Sequence, residues 1–304
     1  MFIKRVPQFE YHVPASLGGA HQLLSRYGRQ ARLMAGGTDL LGAMKRRDMV
    51  VGHLINLKGI KGLEGIDFHE TAGLKIGGLT RLGDLERSAV VRDKYAILMD
   101  ALDVMASPQI RNLATIGGNL CGAVPSADTA PPLIALRASV VLYGHSGQRT
   151  VLVENLFKGP GESILGPDEI LTRIIIPPPA EFSGGAYIKL MTRNAMELAI
   201  VGVAVHLSLD KDGKTCRQAT IALGAVGPTP LRALQAEKVL GNRAIHEELA
   251  KEAGKAASRE ANPISNIRAT KEYRTEMIGV LTARAVMKAY ERIRKNRTKG
   301  GQRT

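Results

Sequence analysis

The chain contains 304 residues, of which 44% are hydrophobic and 23% are charged. This length and ordinary globular composition predict about two domains with sizeable cores. The formal net charge is +14 at pH 7, but the chain has no tryptophan and only 4% aromatic residues. Aromatic side chains that could stack on bases are scarce, so the composition argues against a nucleic-acid-binding protein.

Two cysteines, Cys121 and Cys216, lie far apart in the sequence. An iron–sulfur cluster or a structural zinc ion needs about four ligands, so this pair predicts that the chain carries no such metal centre of its own. The first residues lack the apolar core of a signal peptide, and no run reaches the roughly 18 apolar residues of a membrane span. We therefore expect a cytoplasmic protein without a transmembrane segment.

The first half of the chain alternates between helical and strand patterns. Apolar residues recur with helical spacing over 15–28, and a short strand at 31–35 runs into Gly36-Gly37. The remaining predicted elements are apolar stretches at 50–57 and 74–78, helices at 81–89 and 93–106, and strands at 138–143 and 172–176. This order predicts a small βαβ unit followed by a second α+β lobe.

Three consecutive prolines at 177–179 end this part of the chain, and the pattern changes after them. Strands are predicted at 184–191, 199–209 and 216–226, followed by helices at about 230–240, 246–260 and 270–295. Strands followed by helices are typical of an α+β domain. We expect a three-stranded antiparallel sheet, with the basic residues at the end of the chain forming a solvated tail.

Two glycine-containing loops are the most informative features of the sequence. The first loop is Ala35-Gly36-Gly37-Thr38-Asp39-Leu40, directly after a predicted strand. The second loop lies in the segment 106–120 and ends in Thr115-Ile116-Gly117-Gly118-Asn119-Leu120. Glycine pairs can expose consecutive backbone N–H groups to an anion. Together the loops predict a phosphorylated cofactor that is held from two sides.

Several common catalytic motifs are missing from the sequence. There is no phosphate-binding loop ending in Gly-Lys-Ser/Thr and no glycine fingerprint opening an early βαβ unit, which argues against a Rossmann NAD enzyme. His69-Glu70 has no second histidine at metal-binding spacing, and the nucleophile motif Gly-x-Ser-x-Gly is absent. Zinc-dependent hydrolysis and esterase chemistry are therefore not expected.

With their neighbours, the two loops resemble the flavin signatures of the FAD-binding subunits of the molybdenum hydroxylases. This family includes xanthine dehydrogenase, carbon monoxide dehydrogenase and nicotinate dehydrogenase. The resemblance continues through Pro125-Ser126-Ala127-Asp128, Asp168-Glu169-Ile170-Leu171 and the strand at 189–199, and so covers nearly the whole chain. One departure is Ala127, which separates Ser126 from Asp128.

The resemblance implies that FAD is the cofactor of this chain. The backbone N–H groups of the first loop and the Thr38 hydroxyl would meet its pyrophosphate, a dianion that needs donors. Thr115, Gly118 and Asn119 would approach from the other side. The implied cofactor-binding residues are Ala35, Gly36, Gly37, Thr38, Asp39, Leu40, Thr115, Gly117, Gly118, Asn119, Asp128, Ile170, Leu171 and Lys189.

The resemblance also implies individual roles further along the chain. Asp128 would accept a hydrogen bond from a ribose or ribityl hydroxyl, and the segment containing Ile170 would pass the adenine end. Lys189 or Arg193 near the flavin ring would favour the negatively charged reduced form, and Glu197 would lie close to them. No catalytic proton-transferring residue and no metal ligand are implied in this chain.

The implied fold is α+β. A two-lobed FAD-binding domain of the vanillyl-alcohol-oxidase (PCMH) type would span 1–178, with lobes at about 1–57 and 58–178. A small α+β domain with a three-stranded antiparallel sheet and a helical bundle would follow at 179–290, and 291–304 would be the basic tail.

The implied partners are a large molybdopterin subunit and a small subunit with [2Fe–2S] clusters, assembled as a dimer of heterotrimers. Electrons would pass from the clusters to FAD and then to NAD or another acceptor. Two alternatives stay open from the sequence. One is a stand-alone FAD-dependent oxidoreductase of the same fold, and the other, favoured only by charge, is a basic nucleic-acid-associated protein.

Overall fold

The first lobe is a small three-layer unit at the N-terminus. The structure is a computed structural model that describes residues 5–193 and 196–300. The lobe consists of β1 (Glu10–His12), α1 (Leu17–Tyr27), β2 (Ala31–Met34), α2 (Leu40–Arg46) and β3 (His53–Asn56). The strands are all parallel and lie in the order β1-β3-β2. The crossover from β2 through α2 to β3 places the first glycine loop at the carboxyl end of β2.

Helix α1 shows how local sequence sets the limits of an element. Its first turn is capped by Ser16, whose hydroxyl accepts the N–H of Gly19 at 3.1 Å. Its end is set by Gly28, which has a positive φ of 51° and donates its N–H to Leu24 O. Ser16 is therefore an ordinary N-cap and Gly28 an ordinary C-cap. The predicted helix at 15–28 is therefore confirmed to within two residues.

The second lobe is built around a five-stranded antiparallel sheet in the order β4-β5-β10-β6-β7. Its elements are β4 (Ile66–His69), β5 (Gly73–Gly77), α3 (Leu82–Arg87), α4 (Ala89–Lys94), α5 (Ala96–Asp103), α6 (Pro108–Arg111), α7 (Ile116–Cys121), α8 (Ala130–Ala135), β6 (Ser139–Gly144), β7 (Gly147–Leu152), β8 (Phe157–Gly159), β9 (Glu162–Ser163) and β10 (Ile170–Ile176). The helices pack on the sheet in one apolar core that includes Ile76, Leu98, Ile116 and Ile174.

The prediction of a single helix over 93–106 is wrong, because the chain forms two helices, α4 and α5, that meet at Tyr95. This residue leaves the helical region, with φ of −131° and ψ of 49°. Its side chain is only 1% exposed, and its hydroxyl donates to Pro177 O at 3.1 Å. Burial of one aromatic ring against the end of β10 thus overrides the helical periodicity.

The C-terminal region contains the predicted antiparallel strands followed by helices. Its elements are β11 (Ser183–Leu190), β12 (Val201–Leu209), β13 (Cys216–Gly224), β14 (Leu231–Arg232), α9 (Leu234–Leu240), α10 (Glu247–Glu260) and α11 (Lys271–Gly300). The sheet has the order β11-β12-β13-β14, so a two-residue strand extends the expected three. Helix α11 runs past the predicted helix end at 295 and occupies 291–300, part of the range 291–304 that was expected to be the basic tail. Residues 301–304 lie outside the described part of the chain.

Asp100 of α5 joins the second lobe to the C-terminal region. Its carboxylate accepts two hydrogen bonds from the Arg292 guanidinium, at 2.6 and 2.7 Å, and one from Lys288 at 3.0 Å. It also accepts the backbone N–H of Tyr187 in β11 at 2.9 Å. A charged pair of this bidentate form is directional. The contact therefore fixes β11 and α11 beside the lobe that carries the second glycine loop.

Among the described residues, no helix is both long and apolar enough to cross a membrane. Both cysteines are free thiols.

Candidate cofactor-binding site

A cavity of about 750 Å³ lies where the two lobes and the loop after β11 meet. Its volume is in the upper part of the range of ligand sites, roughly 300–1,000 Å³. The structure brings together in its lining every predicted site residue except Lys189, namely Ala35, Gly36, Gly37, Thr38, Asp39, Leu40, Thr115, Gly117, Gly118, Asn119, Asp128, Ile170 and Leu171. Residues that are distant in sequence therefore share one cavity.

The first loop offers a row of free backbone donors to this cavity. The N–H of Leu41 donates to Gly37 O at 3.0 Å, which starts α2. Within the part of the chain that the structure describes, the N–H groups of 36–40 have no protein acceptor. Gly37 has a φ of +77°, a conformation that other residues rarely adopt. Successive N–H groups in such a turn form an anion-binding concavity.

Gly36 is required for a different reason, which is a close approach of two backbones. A Cβ atom at this position would lie 2.2 Å from Leu113 O and 2.9 Å from the Ala114 Cα. Only glycine permits this separation. The first loop therefore packs directly on the segment that leads into the second loop, and the two loops form one wall.

The second loop differs from the sequence prediction, because its N–H groups are already used by the protein. The Gly117 N–H donates to Gly78 O at 3.0 Å, the Gly118 N–H to the Thr115 hydroxyl at 3.1 Å, and the Asn119 N–H to Thr115 O at 2.9 Å. Gly117 also packs so closely that a Cβ would lie 2.5 Å from Gly78 O. The prediction of free consecutive donors is therefore correct for the first loop and wrong for the second.

The second loop has two polar side chains in the cavity lining, Thr115, whose hydroxyl already accepts the Gly118 N–H, and Asn119. Its Oδ1 accepts a hydrogen bond from the Thr129 hydroxyl. This bond fixes the orientation of the amide and leaves its NH₂ group as the donor. The second loop thus contributes a side-chain donor where the first loop contributes backbone donors.

Arg111, which belongs to the second flavin signature, does not line the cavity. Its guanidinium makes a bidentate pair with Glu86 at 2.7 and 2.9 Å, and a further N–H donates to Met105 O at 2.7 Å. The Arg111 guanidinium holds the pKa of Glu86 below its ordinary value. Met105 and Ala106 do line the cavity, and Ala106 has a φ of 50°. Arg111 therefore holds the backbone of the lining in place.

Asp128 is a buried carboxylate in the lining, and Lys189 lies behind it. The Asp128 carboxylate accepts the Tyr187 hydroxyl at 2.9 Å and the Lys189 ammonium at 2.8 Å. The Lys189 side chain is 0% exposed and also donates to Val104 O at 3.2 Å. The structure therefore places Lys189 as a partner of Asp128 and outside the lining, whereas the sequence prediction placed it on the cofactor.

Burial dominates the titration of these groups. It raises the pKa of Asp128, against the opposing effects of the Lys189 charge and of the hydrogen bonds from Lys189 and Tyr187. Burial and the neighbouring carboxylate raise the pKa of Tyr187 well above its ordinary value, so its hydroxyl stays a donor. With two donors fixed on its inner side, Asp128 retains acceptor capacity toward the cavity.

The loop after β11 closes the cavity from the C-terminal region through Met196, Glu197 and Leu198. Glu197 accepts hydrogen bonds from Arg193 at 2.7 Å and from the Thr192 hydroxyl at 3.0 Å. These hydrogen bonds, with that from Arg193 as the largest contribution, lower the pKa of Glu197. The Arg193 side chain is 71% exposed and does not belong to the lining. Glu197, and not Arg193, is therefore the charged group that this loop presents.

Sequence reasoning missed several lining residues, of which Arg32 is the most informative. It lies on β2 three residues before the first loop, and its guanidinium donates to the backbone oxygens of Arg29 and Ala31. The alternation of side chains along a strand is the signal that could have identified it. Cys121 also lines the cavity, and burial raises the pKa of its thiol to about 12, so the thiol is protonated.

The donor set fits a flavin dinucleotide. A dianionic pyrophosphate needs several donors, and the N–H groups of the first loop would provide them together with the Arg32 cation. Apolar side chains, including Ile110, Leu165 and Ile170, provide walls for planar rings. Asp128 and Asn119 provide an acceptor and a donor for hydroxyl and ring groups.

Comparison with protein-family models identifies both parts of the chain. Residues 7–179 match the FAD binding domain in molybdopterin dehydrogenase, and residues 186–289 match the CO dehydrogenase flavoprotein C-terminal domain.

Comparison with individual proteins gives the same result. The carbon monoxide dehydrogenase medium chain of Hydrogenophaga pseudoflava is 36% identical over 286 residues, which cover 94% of this chain and 98% of that protein. The xanthine dehydrogenase FAD-binding subunit of Escherichia coli O157:H7 is 32% identical, covering 92% of this chain and 95% of that protein.

Solved structures show the same fold along nearly the whole chain. A chain of carbon monoxide dehydrogenase from Hydrogenophaga pseudoflava superposes with a TM-score of 0.91 at 36% identity, over 95% of this chain and 99% of that one. A chain of quinoline 2-oxidoreductase from Pseudomonas putida 86 gives a TM-score of 0.88 at 28% identity, with the same coverage. The chain therefore belongs to the family of FAD-binding medium subunits of the molybdenum hydroxylases.

Proposed function

We propose that this chain holds FAD in the cavity between its lobes and transfers electrons within a multi-subunit molybdenum hydroxylase. The observation that carries the proposal is the row of backbone N–H groups at 36–40, which has no acceptor within the described residues and belongs to residues that line a cavity of about 750 Å³. Membership of the family supports FAD as the ligand.

In this proposal the first loop binds the pyrophosphate. The backbone N–H groups from Gly36 to Leu40 and the Thr38 hydroxyl donate to its oxygens, and Arg32 adds a positive charge nearby. Asp39 contributes its N–H, because its exposed carboxylate would be repelled by the phosphates. Ile170 and Leu171 line the cavity, and they would form an apolar wall beside the dinucleotide.

Asp128 is proposed to accept a hydroxyl of the ribose or ribityl part. The Lys189 and Tyr187 donors fix the carboxylate, so it enters the interaction with little loss of rotamer freedom. Lys189 thereby acts through Asp128. Its ammonium group pairs with the buried carboxylate from outside the cavity lining. Asn119 donates from the second loop, and its amide orientation is fixed by Thr129.

Flavin, when bound, would supply both one-electron and two-electron transfer. The residues of this chain orient the cofactor, exclude water from part of it and set the local charge. Among the lining residues, Asp128 is held by two protein donors and Glu197 by Arg193 and Thr192, so neither is arranged as a free proton-transfer group. We therefore assign the chain an electron-transfer role and no acid–base role.

The proposed partners are a large molybdopterin subunit and a small subunit with [2Fe–2S] clusters. Relatives named as medium chains or FAD-binding subunits support this assembly, since such names belong to multi-subunit enzymes. In the proposal, electrons enter from the iron–sulfur subunit and leave to NAD or another acceptor, in a cytoplasmic dimer of heterotrimers. The substrate would be bound and oxidised by the large subunit.

Cofactor analysis of the purified chain tests the proposal. We expect about one FAD per chain, measured by its visible absorption and by chromatography after denaturation. Gly37→Ala removes the φ of +77° that the cradle needs, and it should lower FAD affinity at least tenfold. Gly62→Ala is the matched control, because Gly62 has a similar φ of +83° in open space outside the lining.

Absence of bound FAD, together with no binding of added FAD, would overturn the proposed function. Equal loss of FAD in the two glycine variants would contradict the assigned cradle. Co-purification of a tagged chain with molybdenum- and iron-containing subunits tests the proposed assembly separately.

A further inference from the structure

Three metal-ligating side chains meet on the first lobe, on the sheet formed by β1, β3 and β2. Glu10 and His12 lie two residues apart on the edge strand β1 and so share one face of the sheet. His53 begins β3 and is the parallel register partner of Glu10. The strand register therefore brings the three side chains to one point without any contribution from the FAD cavity.

The distances between their ligand atoms match a metal site. The His12 Nε2 and His53 Nδ1 atoms are 3.2 Å apart, and the Glu10 Oε2 atom lies 3.3 Å from His53 Nδ1 and 3.7 Å from His12 Nε2. Metal–ligand bonds of about 2.0–2.1 Å in a tetrahedral zinc site place the ligand atoms about 3.3 Å apart. The three atoms thus form the face of a tetrahedron of the correct size.

Aromatic packing holds the imidazole rings in this arrangement. The Tyr27 ring stacks on His53 with centroids 3.5 Å apart and an interplanar angle of 12°, and it also stacks on His12 at 5.4 Å. The two histidine side chains are only 20% and 13% exposed. Tyr27 is the last residue of α1, and the carbonyl end of a helix favours a cation. The ligands are therefore ordered before any metal binds.

We propose that Glu10, His12 and His53 form a binding site for a divalent transition metal ion of the zinc type. Two imidazoles and one carboxylate are a ligand set that zinc uses, with water in the fourth position. Calcium and magnesium prefer sites made of oxygen atoms, so the two nitrogen ligands select against them. A bound ion would link the edge strand β1 to β3 and stabilise the lobe that carries the first loop.

Titration of the tag-free 304-residue chain, stripped with a chelator and kept near neutral pH, tests the site. Zn²⁺ should bind with one equivalent per chain in calorimetry, and Co²⁺ should give the visible absorption of a tetrahedral complex. His12→Gln and His53→Gln should each lower Zn²⁺ affinity by more than about tenfold. His69→Gln is the control, because His69 is an exposed histidine on β4, outside the cluster.

Glu10→Gln keeps the test decisive if the histidine variants fold poorly. The Glu10 side chain is 68% exposed, so its substitution leaves the packing intact while removing the anionic ligand. Zn²⁺ should raise the thermal unfolding midpoint of the native chain and of His69→Gln, and raise it much less in Glu10→Gln. No saturable Zn²⁺ binding by the native chain, or unchanged binding by Glu10→Gln and His53→Gln, would overturn the proposal.

Discussion

The two glycine loops have similar sequences but use their backbones in opposite ways. In the first loop, the N–H groups of 36–40 have no acceptor in the described chain, and their residues line the cavity. In the second, the N–H groups of Gly117, Gly118 and Asn119 donate to Gly78 and Thr115. The first loop is thus a binding cradle, and the second is a packed helix start that supports it.

A glycine pair alone therefore does not specify an anion site. Gly37 is needed for its positive φ, whereas Gly117 is needed because Gly78 O lies where a Cβ would be. Each glycine pair also has an aspartate after it in the cavity lining, Asp39 and Asp128, and the two carboxylates differ in burial. Asp39 is exposed, while Asp128 is buried with Lys189. Substitutions that change either the free energy of unfolding or the affinity for FAD can therefore distinguish the roles of the two loops.

The largest effect is expected for Lys189→Met, which removes the partner of the buried carboxylate beyond the second loop. Breaking a buried ion pair typically costs about 3–5 kcal/mol of unfolding free energy. Urea denaturation measures this loss. Lys94→Met is the control, because Lys94 pairs with the exposed Glu70, and an exposed pair contributes about 0–1 kcal/mol. A loss in Lys189→Met no larger than in the control would contradict the supporting role.

The same variant has a predicted pH dependence. Burial raises the pKa of Asp128, so the folded chain binds a proton more tightly than the unfolded chain does. Stability from this group is then fully present below the unfolded pKa and declines as the pH rises toward the raised folded pKa. Removing Lys189 removes causes that oppose the shift. The stability deficit of Lys189→Met relative to the native chain should therefore shrink as the pH is lowered.

Gly117→Ala should destabilise the fold at the second loop. The added Cβ would lie 2.5 Å from Gly78 O and 3.0 Å from the Gly78 Cα, and neither backbone atom can move easily. Overpacking of this kind costs about 1–3 kcal/mol. The control is Gly18→Ala in α1, where the space is open, and a glycine-to-alanine change in a helix is neutral or stabilising. Denaturation of the two variants compares them directly.

Much of this architecture could be predicted from local sequence. The lobes, the order of the strands and helices after the prolines, and the cavity-lining residues of both loops follow from periodicity, glycine placement and the resemblance to the family. What could not be predicted depends on contacts between distant residues. Gly78 O occupies the Gly117 N–H, and Lys189 pairs with Asp128, which is 61 residues away. Short motifs do not encode such partners.

Substitution of one threonine in each loop, Thr115 or Thr38, is expected to have a smaller effect. These two variants separate folding stability from FAD affinity most clearly. The Thr115 hydroxyl accepts the Gly118 N–H as a helix cap, so Thr115→Val should cost about 1 kcal/mol of unfolding free energy. The Thr38 hydroxyl has no protein partner within the described residues, so Thr38→Val should leave stability nearly unchanged. Its FAD affinity should instead fall by about three- to tenfold, the loss of one hydrogen bond. If Thr115→Val and Thr38→Val changed the unfolding free energy equally and the FAD affinity equally, the assigned distinction between the loops would be wrong.

Arg32→Gln is expected to have the smallest effect, and it tests whether a side-chain charge contributes to binding at the first loop. Arg32 is exposed and lies in the cavity lining beside the loop, so its charge acts through solvent on a dianionic group. We expect about a threefold loss of FAD affinity at low salt, as for an exposed charge interaction. The loss should diminish as salt is added, because screening removes a charge effect but leaves backbone hydrogen bonds largely intact. Arg29→Gln, an exposed neighbour outside the lining, is the control. A salt-independent loss would mean that Arg32 acts by holding the backbone at Arg29 and Ala31, and the cradle would then depend on its N–H groups alone for binding.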